Sequence, residues 1–347
     1  MSSVAEPLSI HCPIGVFDSG VGGLSVLRQL LQHLPQENKV YLADSAWSPY
    51  GERSPEQIAL RSLQIAGYLQ QRHRIKALVV ACNTATSQAV QLLREQHPQL
   101  LLIGIEPAIK PAVALSKTGH IGIMATRATV QSAKFARLVQ DWGGQSHIHV
   151  QACDGLALAI ENALDGQSNP DGQTVQSLCQ RYWRALQTAA SQAAAAGAPD
   201  DAASGTIDAL VLGCTHYPFA ADVLQVLAGE AVQLIEPGGP VARQTQRLLQ
   251  QHGLLRGMSG VGQQAGQVQQ VVGQQIAAQA RAASSVALSE QAVDEPADTA
   301  LSAQMLGLPE QPMPGRLTLL ATSNPQRLQK AAQQWLGVRA EVEVVEL

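Results

Sequence analysis

Aromatic side chains are scarce in this sequence: four Trp, five Tyr and three Phe among 347 residues. That leaves little material for a surface on which nucleic-acid bases stack. An excess of positive charge is missing too. With 23 Lys and Arg against 27 Asp and Glu, the net charge is −4, which gives no electrostatic footprint for nucleic acid or an anionic membrane. No apolar run approaches the length that spans a bilayer. The opening MSSVAEPLSIHCPIG has no basic stretch followed by a long apolar one, so no secretory signal is expected. Cysteines are few: Cys12, Cys82, Cys153, Cys179 and Cys214. Their odd number and wide spacing argue against a disulfide framework or a Cys-x-x-Cys zinc site, and for reduced thiols in the cytoplasm. The dinucleotide pattern Gly-x-Gly-x-x-Gly and the P-loop Lys are absent as well.

What is present is organised around Ala77–Val90, ALVVACNTATSQAV. A short apolar run followed by apolar residues at helical spacing predicts strand, turn, helix. Cys82 then ends the strand beside the first turn of a helix, where the dipole can hold a thiolate. Burial as a small hydrophobe is the plainer reading. A second stretch shifts the balance: Ala209–His216, ALVLGCTH, aligns with Ala77–Thr84, ALVVACNT, and sets Cys214 in the place of Cys82. Ile14–Gly20, IGVFDSG, and Ile121–Arg127, IGIMATR, match more weakly and in the same order. Two related halves, each ending a strand in a loop with one Cys, follow from this.

The length suits two domains. Apolar runs alternate with helix-spaced segments almost throughout, which predicts α/β layers with mostly parallel sheets. Asp18-Ser19-Gly20-Val21-Gly22-Gly23 is a glycine-rich turn before a helix over 24–34, open to close approach by a ligand or to service as a plain tight turn. Pro49-Tyr50-Gly51 sits in a loop with Trp47, where such an aromatic can close over a ligand or simply pack, the commoner role. Cys153 is read as structural; Glu161 could face the site or solvent, and solvent is the favoured reading. Residues 257–314, rich in Gln, Ala, Gly and Ser, are read as a largely disordered insertion with an Ala/Gln helix around Gln263–Ala283. Ligands bind beyond the carboxyl ends of parallel strands, and the small-polar loops at 18–23, 82–86, 125–129 and 214–216 all fall there. They are poor in Lys and Arg, which suits a small carboxylate better than a polyphosphate.

Two thiols facing each other across a cleft fit one chemistry closely. One, as thiolate, removes a proton from one face of a carbon, and the other, as thiol, delivers a proton to the opposite face. Each needs a neighbour to tune it. Asp18 is the candidate for Cys82, and His216 for Cys214.

The strings Asp18-Ser19-Gly20-Val21-Gly22-Gly23-Leu24-Ser25, Pro49-Tyr50-Gly51, Cys82-Asn83-Thr84-Ala85 and Gly213-Cys214-Thr215-His216-Tyr217-Pro218 closely resemble those of glutamate racemases, in the cofactor-independent aspartate/glutamate racemase superfamily. The similarity runs over about 13–255 and resumes at about 316–347. It implies two similar α/β domains related by a pseudo-two-fold, with the active site in the cleft between them. Residues 1–108 plus 219–347 would form the first domain and 109–218 the second. By resemblance, Cys82 and Cys214 are the acid/base residues, with Asp18 and His216 in support. Asp18, Ser19, Tyr50, Gly51, Asn83, Thr84, Thr215 and His216 would contact or support substrate, and Thr126 and Thr129 would bind a substrate carboxylate. The resemblance further implies L- and D-glutamate as substrate and product, no metal, no pyridoxal phosphate or other cofactor, and a supply of D-glutamate to bacterial peptidoglycan. A homodimer is admitted and left open. Racemisation of aspartate or another amino acid stays open as well, as do a thiol hydrolase, which needs only one Cys, and a non-catalytic interaction protein that binds through the insertion.

Overall fold

The computed structural model describes residues 8–144, 146–167, 169, 171–196, 205–257 and 314–347. The insertion read over 257–314, with its helix around 263–283, lies outside them except for its two end residues.

The first half begins with β1 (Ile14–Asp18), α1 (Leu24–His33) and β2 (Lys39–Ala43), followed by α2 (Pro55–His73) and β3 (Ala77–Val80). α3 (Asn83–Gln96), β4 (Leu101–Gly104) and α4 (Ile109–Leu115) complete it. The second half runs β5 (His120–Ala125), α5 (Arg127–Val130), α6 (Ala133–Trp142), β6 (His147–Ala152), α7 (Leu156–Leu164), α8 (Val175–Ala196) and β7 (Ala209–Gly213). A 3-10 turn (Tyr217–Ala220), α9 (Ala221–Ala228) and β8 (Gln233–Ile235) close it. α10 (Gly238–Gln251), β9 (Leu317–Ala321), α11 (Pro325–Leu336) and β10 (Val342–Val344) return to the first half.

Two sheets result, and every strand pair in them is parallel. One has the order β10-β9-β2-β1-β3-β4 and the other β6-β5-β7-β8. With β5–β8 set in place of β1–β4, the order β2-β1-β3-β4 repeats, so the matched segments of the sequence are equivalent strands. β9 and β10 extend the first sheet alone. The central strands β1, β3, β5 and β7 are buried along their whole length, as expected where helices cover both faces of a parallel sheet. Local signals start the helices. Pro55 opens α2 behind Ser54, whose side chain and that of Gln57 form a reciprocal capping box. Both sheets belong to one compact unit, 1–255 with 314–347.

One expectation is corrected. The division at 218/219 assigns β8 to the first domain, yet β8 pairs in parallel with β7, Ala209 opposite Gln233. The crossover through α9 carries the chain back to the same sheet, so by sheet membership the return comes after Ile235. Ser132 caps α6 by accepting a hydrogen bond from Phe135 N–H, which sets it apart from α5.

Candidate active site

A cavity of about 400 Å³ opens at the carboxyl ends of both sheets. Ser19, Tyr50, Gly51, Cys82, Asn83 and Thr84 line it from the first half, and Thr126, Cys214, Thr215 and His216 from the second. Parallel strands alone bring these distant loops together, because every strand in a sheet delivers its carboxyl end to the same edge.

Cys82 is the N-cap of α3, and its Sγ accepts a hydrogen bond from Ala85 N–H at 3.4 Å. The Ser19 hydroxyl lies 3.7 Å away. The sequence suggested a thiol held as thiolate by the helix start. Burial instead pushes the Cys82 thiol up, and the Asp18 carboxylate and Cys214 push the same way against the Ala85 and Ser19 hydrogen bonds. Asp18 is fully buried and lies outside the cavity lining. Its Oδ2 accepts from Gly23 N–H at 2.6 Å and from Thr215 Oγ1 at 3.5 Å. Burial raises its pKa, opposed by the nearby His216 charge and by the Gly23 hydrogen bond.

Cys214 has a different neighbour. Its Sγ lies 3.7 Å from His216 Nδ1, and the other ring nitrogen, Nε2, lies 2.8 Å from Glu161 Oε1. Burial works to lower the His216 pKa, but the bonds and charges of Cys214 and Glu161 prevail and hold it well above the usual imidazole range. Burial works the other way on Glu161, where the hydrogen bond to His216 and the charges of His216 and Arg327 keep the carboxylate below its ordinary value. The result is a Cys–His–Glu relay behind one thiol and a Ser–Asp pair behind the other.

Glu161 corrects a sequence reading. Taken as facing solvent, it is 7% exposed and sits against the site. Arg327, from the first turn of α11, went unnoticed in the sequence; its Nη1 donates to Glu161 Oε2 at 2.9 Å. Cys153 is buried as expected but also lines the cavity. Tyr50 is 2% exposed and its hydroxyl donates to Asp44 Oδ2 at 2.7 Å, so it packs, while the residue still borders the cavity. Arg61 completes that buried anchor with bonds of 2.7 and 2.9 Å to the Asp44 carboxylate. Thr129 stands behind Thr126, 2.9 Å between hydroxyls, and is itself outside the cavity lining.

The glycine-rich turn has a reason that the sequence did not disclose. A Cβ on Gly22 would meet the His216 ring, with Cε1 at 2.5 Å, and one on Gly23 would come within 2.6 Å of Asp18 Cβ. The glycines make room for the site's own side chains from both halves. One group in the cavity has no such partner. Asn83 is buried, and both its amide nitrogen and its amide oxygen lack a hydrogen-bond partner among the described residues, which is costly unless a ligand supplies one.

A duplicated parallel α/β scaffold that turns one thiol from each half into a shared cavity is equipped to move protons at one carbon from two sides. Comparison with known proteins agrees on the class. The Asp/Glu/Hydantoin racemase family model matches residues 14–245, and the chain belongs to that family. The curated proteins it is similar to include glutamate racemases. That of Ectopseudomonas mendocina is 44% identical over 245 residues, covering 71% of this chain and 85% of the relative. Among solved structures, glutamate racemase isoform RacE1 from Bacillus anthracis superposes with a TM-score of 0.69 at 26% identity, over 97% of this chain and 98% of the other. The Escherichia coli glutamate racemase, solved with L-glutamate and the activator UDP-MurNAc-Ala, gives 0.58 at 31% identity over 69% and 82% of the two chains.

Proposed function

We propose that this chain interconverts L-glutamate and D-glutamate by two-base proton transfer, Cys82 and Cys214 each acting on one face of the α-carbon. The observation that carries the reading is the pair of buried thiols, one from each equivalent half, on one cavity of about 400 Å³. It is an isomerase of the amino-acid racemase class.

In one direction the Cys82 thiolate takes the α-proton while the Cys214 thiol gives up its own to the opposite face. In the other direction the roles exchange. Burial pushes the Cys82 thiol up, and the α-ammonium of the substrate brings positive charge next to it, which favours thiolate. Asp18 and Ser19 hold and tune Cys82. His216, kept positive by Glu161, does so for Cys214. The unpartnered Asn83 amide, with Thr84, Thr126 and Thr215, meets the substrate carboxylates through hydroxyl and amide groups. Thr129 acts by orienting Thr126, and Gly51 leaves the rim open for the side-chain end of the substrate.

Among the described residues no helix is long and apolar enough to cross a membrane. A cytoplasmic location, a role in supplying D-glutamate to peptidoglycan and assembly as a homodimer accompany the reading. Aspartate racemisation is the competing activity within the family. Purified protein given L-glutamate or L-aspartate, followed by optical rotation, separates the two. Decay to zero rotation with glutamate alone is expected, and decay with aspartate alone would overturn the substrate assignment.

A further inference from the structure

Behind His216 the relay continues to a residue with no part in the motifs. Glu161 uses Oε1 for His216 and Oε2 for Arg327 Nη1, at 2.8 and 2.9 Å. The same guanidinium turns Nη2 and Nε onto Asp165 Oδ2, at 2.6 and 2.8 Å. Glu161 lies in α7 and Asp165, four residues on, is its C-cap, so the two are neighbours at the helix end and a single planar fork spans both. Two cations, His216 and Arg327, then face two carboxylates. The carriers come from different sheets: α7 follows β6 of the second, and α11 follows β9 of the first.

Helix preference does not explain this Arg. It lies in the first turn of α11, where the dipole disfavours a cation. That turn is nevertheless firmly built, because Asn324 caps the helix and its Oδ1 accepts from Arg327's own N–H at 3.2 Å. Ser323, Asn324 and Arg327 all border the cavity. Arg327 is thus fixed at the backbone, opposed to its helix dipole and committed to two acids, one of which holds the imidazole beside Cys214.

We infer that Arg327 is a positioning residue for the Cys214 side of the reaction: by holding Glu161 it fixes the orientation and charge of His216, and through it the proton transfer at Cys214. This deepens the two-thiol reading and rests on it. The carboxylate of Glu161 has two oxygens, and without the guanidinium the second is left buried with no cation. Glu161 can then rotate away from the imidazole or take up a proton, and either change loosens His216. Ser19 and Asp18, which back Cys82, make no hydrogen bond to Arg327 among the described residues, and Asp18 meets the His216 side through charge and through Thr215.

The test must separate the two sides. Enantiomers have equal free energy, so kcat/KM for full racemisation is the same in both directions whatever the variant. Single-thiol backgrounds avoid this constraint. Arg327→Ala and Arg327→Lys are placed in Cys82→Ser and in Cys214→Ser, and loss of α-deuterium to water is followed from α-deuterated L- and D-glutamate, together with Tm. In the Cys82→Ser background, where Cys214 acts, Arg327→Ala is expected to slow this loss roughly tenfold through kcat with KM little changed, the scale of one charge-assisted hydrogen bond. In the Cys214→Ser background the change is expected to stay within about twofold, a few tenths of that free energy. Lys supplies charge without the fork and should recover part of the loss. Equal losses in both backgrounds with a lowered Tm would make Arg327 a structural tie and overturn the inference. A raised KM at constant kcat would make it a substrate ligand and overturn it too. The ¹⁵N signals of the His216 imidazole read the same point without turnover: they should shift in Arg327→Ala, and unmoved signals would defeat the inference alone. Full racemisation by both single-thiol variants would instead defeat the two-thiol reading beneath it.

Discussion

Cys82 and Cys214 occupy equivalent strand ends, yet their surroundings are not mirror images. One thiol sits beside a hydroxyl and a buried carboxyl, the other beside a cationic imidazole. A reaction between mirror-image substrates therefore runs through chemically unequal bases, and the differences lie one residue behind each sulfur. Glu161→Gln keeps the shape and removes the charge opposite His216. Racemisation is expected to fall roughly a hundredfold, the lower end of what a positioned acid/base group contributes. Its effect on stability should depend on pH in a defined window. His216 has a folded pKa above its ordinary 6.5, so its contribution is full below that value and is lost as pH rises through the folded pKa. Glu161 has a folded pKa below its ordinary 4.5, so its contribution is full above that value and is lost as pH falls through the folded pKa. The Tm difference between wild type and Glu161→Gln should therefore be greatest between about pH 4.5 and 6.5 and shrink on the alkaline side. Thermal melts across pH check this, and a constant difference at all pH values would refute the ion pair. The two cysteines and His216 were legible in the sequence because each lies within a short string. Glu161 was not, because α7 is irregular: it exposes Leu158, at 47%, and buries Glu161, at 7%. Polarity alone assigns those two positions the wrong way round, since a charge is buried only when partners from elsewhere in the chain receive it.

At the scale of elements, most strands and helices announced themselves as apolar runs and caps, to within a residue or two at their ends. What the sequence could not supply was the anchoring of loops from a distance. Asp208, just before β7, is an example. Its carboxylate accepts from Ser116 Oγ at 2.6 Å, Lys117 N–H at 2.6 Å and Thr118 N–H at 3.0 Å, which ties the turn before β5 to the strand beside it. Burial acts to raise its pKa, but those bonds prevail and hold it below the usual range. Asp208→Ala should cost about 3 kcal/mol by denaturant unfolding, the scale of hydrogen bonds made to a charged group, while leaving the cavity residues in place. The contribution is present above the ordinary carboxylate pKa and disappears as pH falls through the lowered one. A loss under about 0.5 kcal/mol, the level of an ordinary surface substitution, would mean that the turn holds without the carboxylate. The misplaced division at 218 has the same origin. β8 is three residues long, and only its pairing with β7 reveals which sheet it joins.

On the scale of the whole molecule, duplication organises everything else. The four-strand order appears twice, the two cysteines end equivalent strands, and the glycine turn of the first half admits side chains of the second. That much was readable from two pairs of matched segments, because a repeated fold repeats its buried strands. Glu161 and Arg327, which extend the Cys214 side, were hidden, because each reaches the site from a different part of the chain. The central claim is that each thiol serves one face of the carbon. It is tested most directly by running wild type, Cys82→Ser and Cys214→Ser in deuterium oxide with each glutamate enantiomer, following both chirality and α-deuterium. Wild type is expected to place solvent deuterium in the inverted product. Each variant should lose racemisation, with any remaining α-proton loss confined to one enantiomer, opposite for the two variants. Full racemisation by both single-thiol variants, or α-proton loss from the same enantiomer in both, would contradict the account.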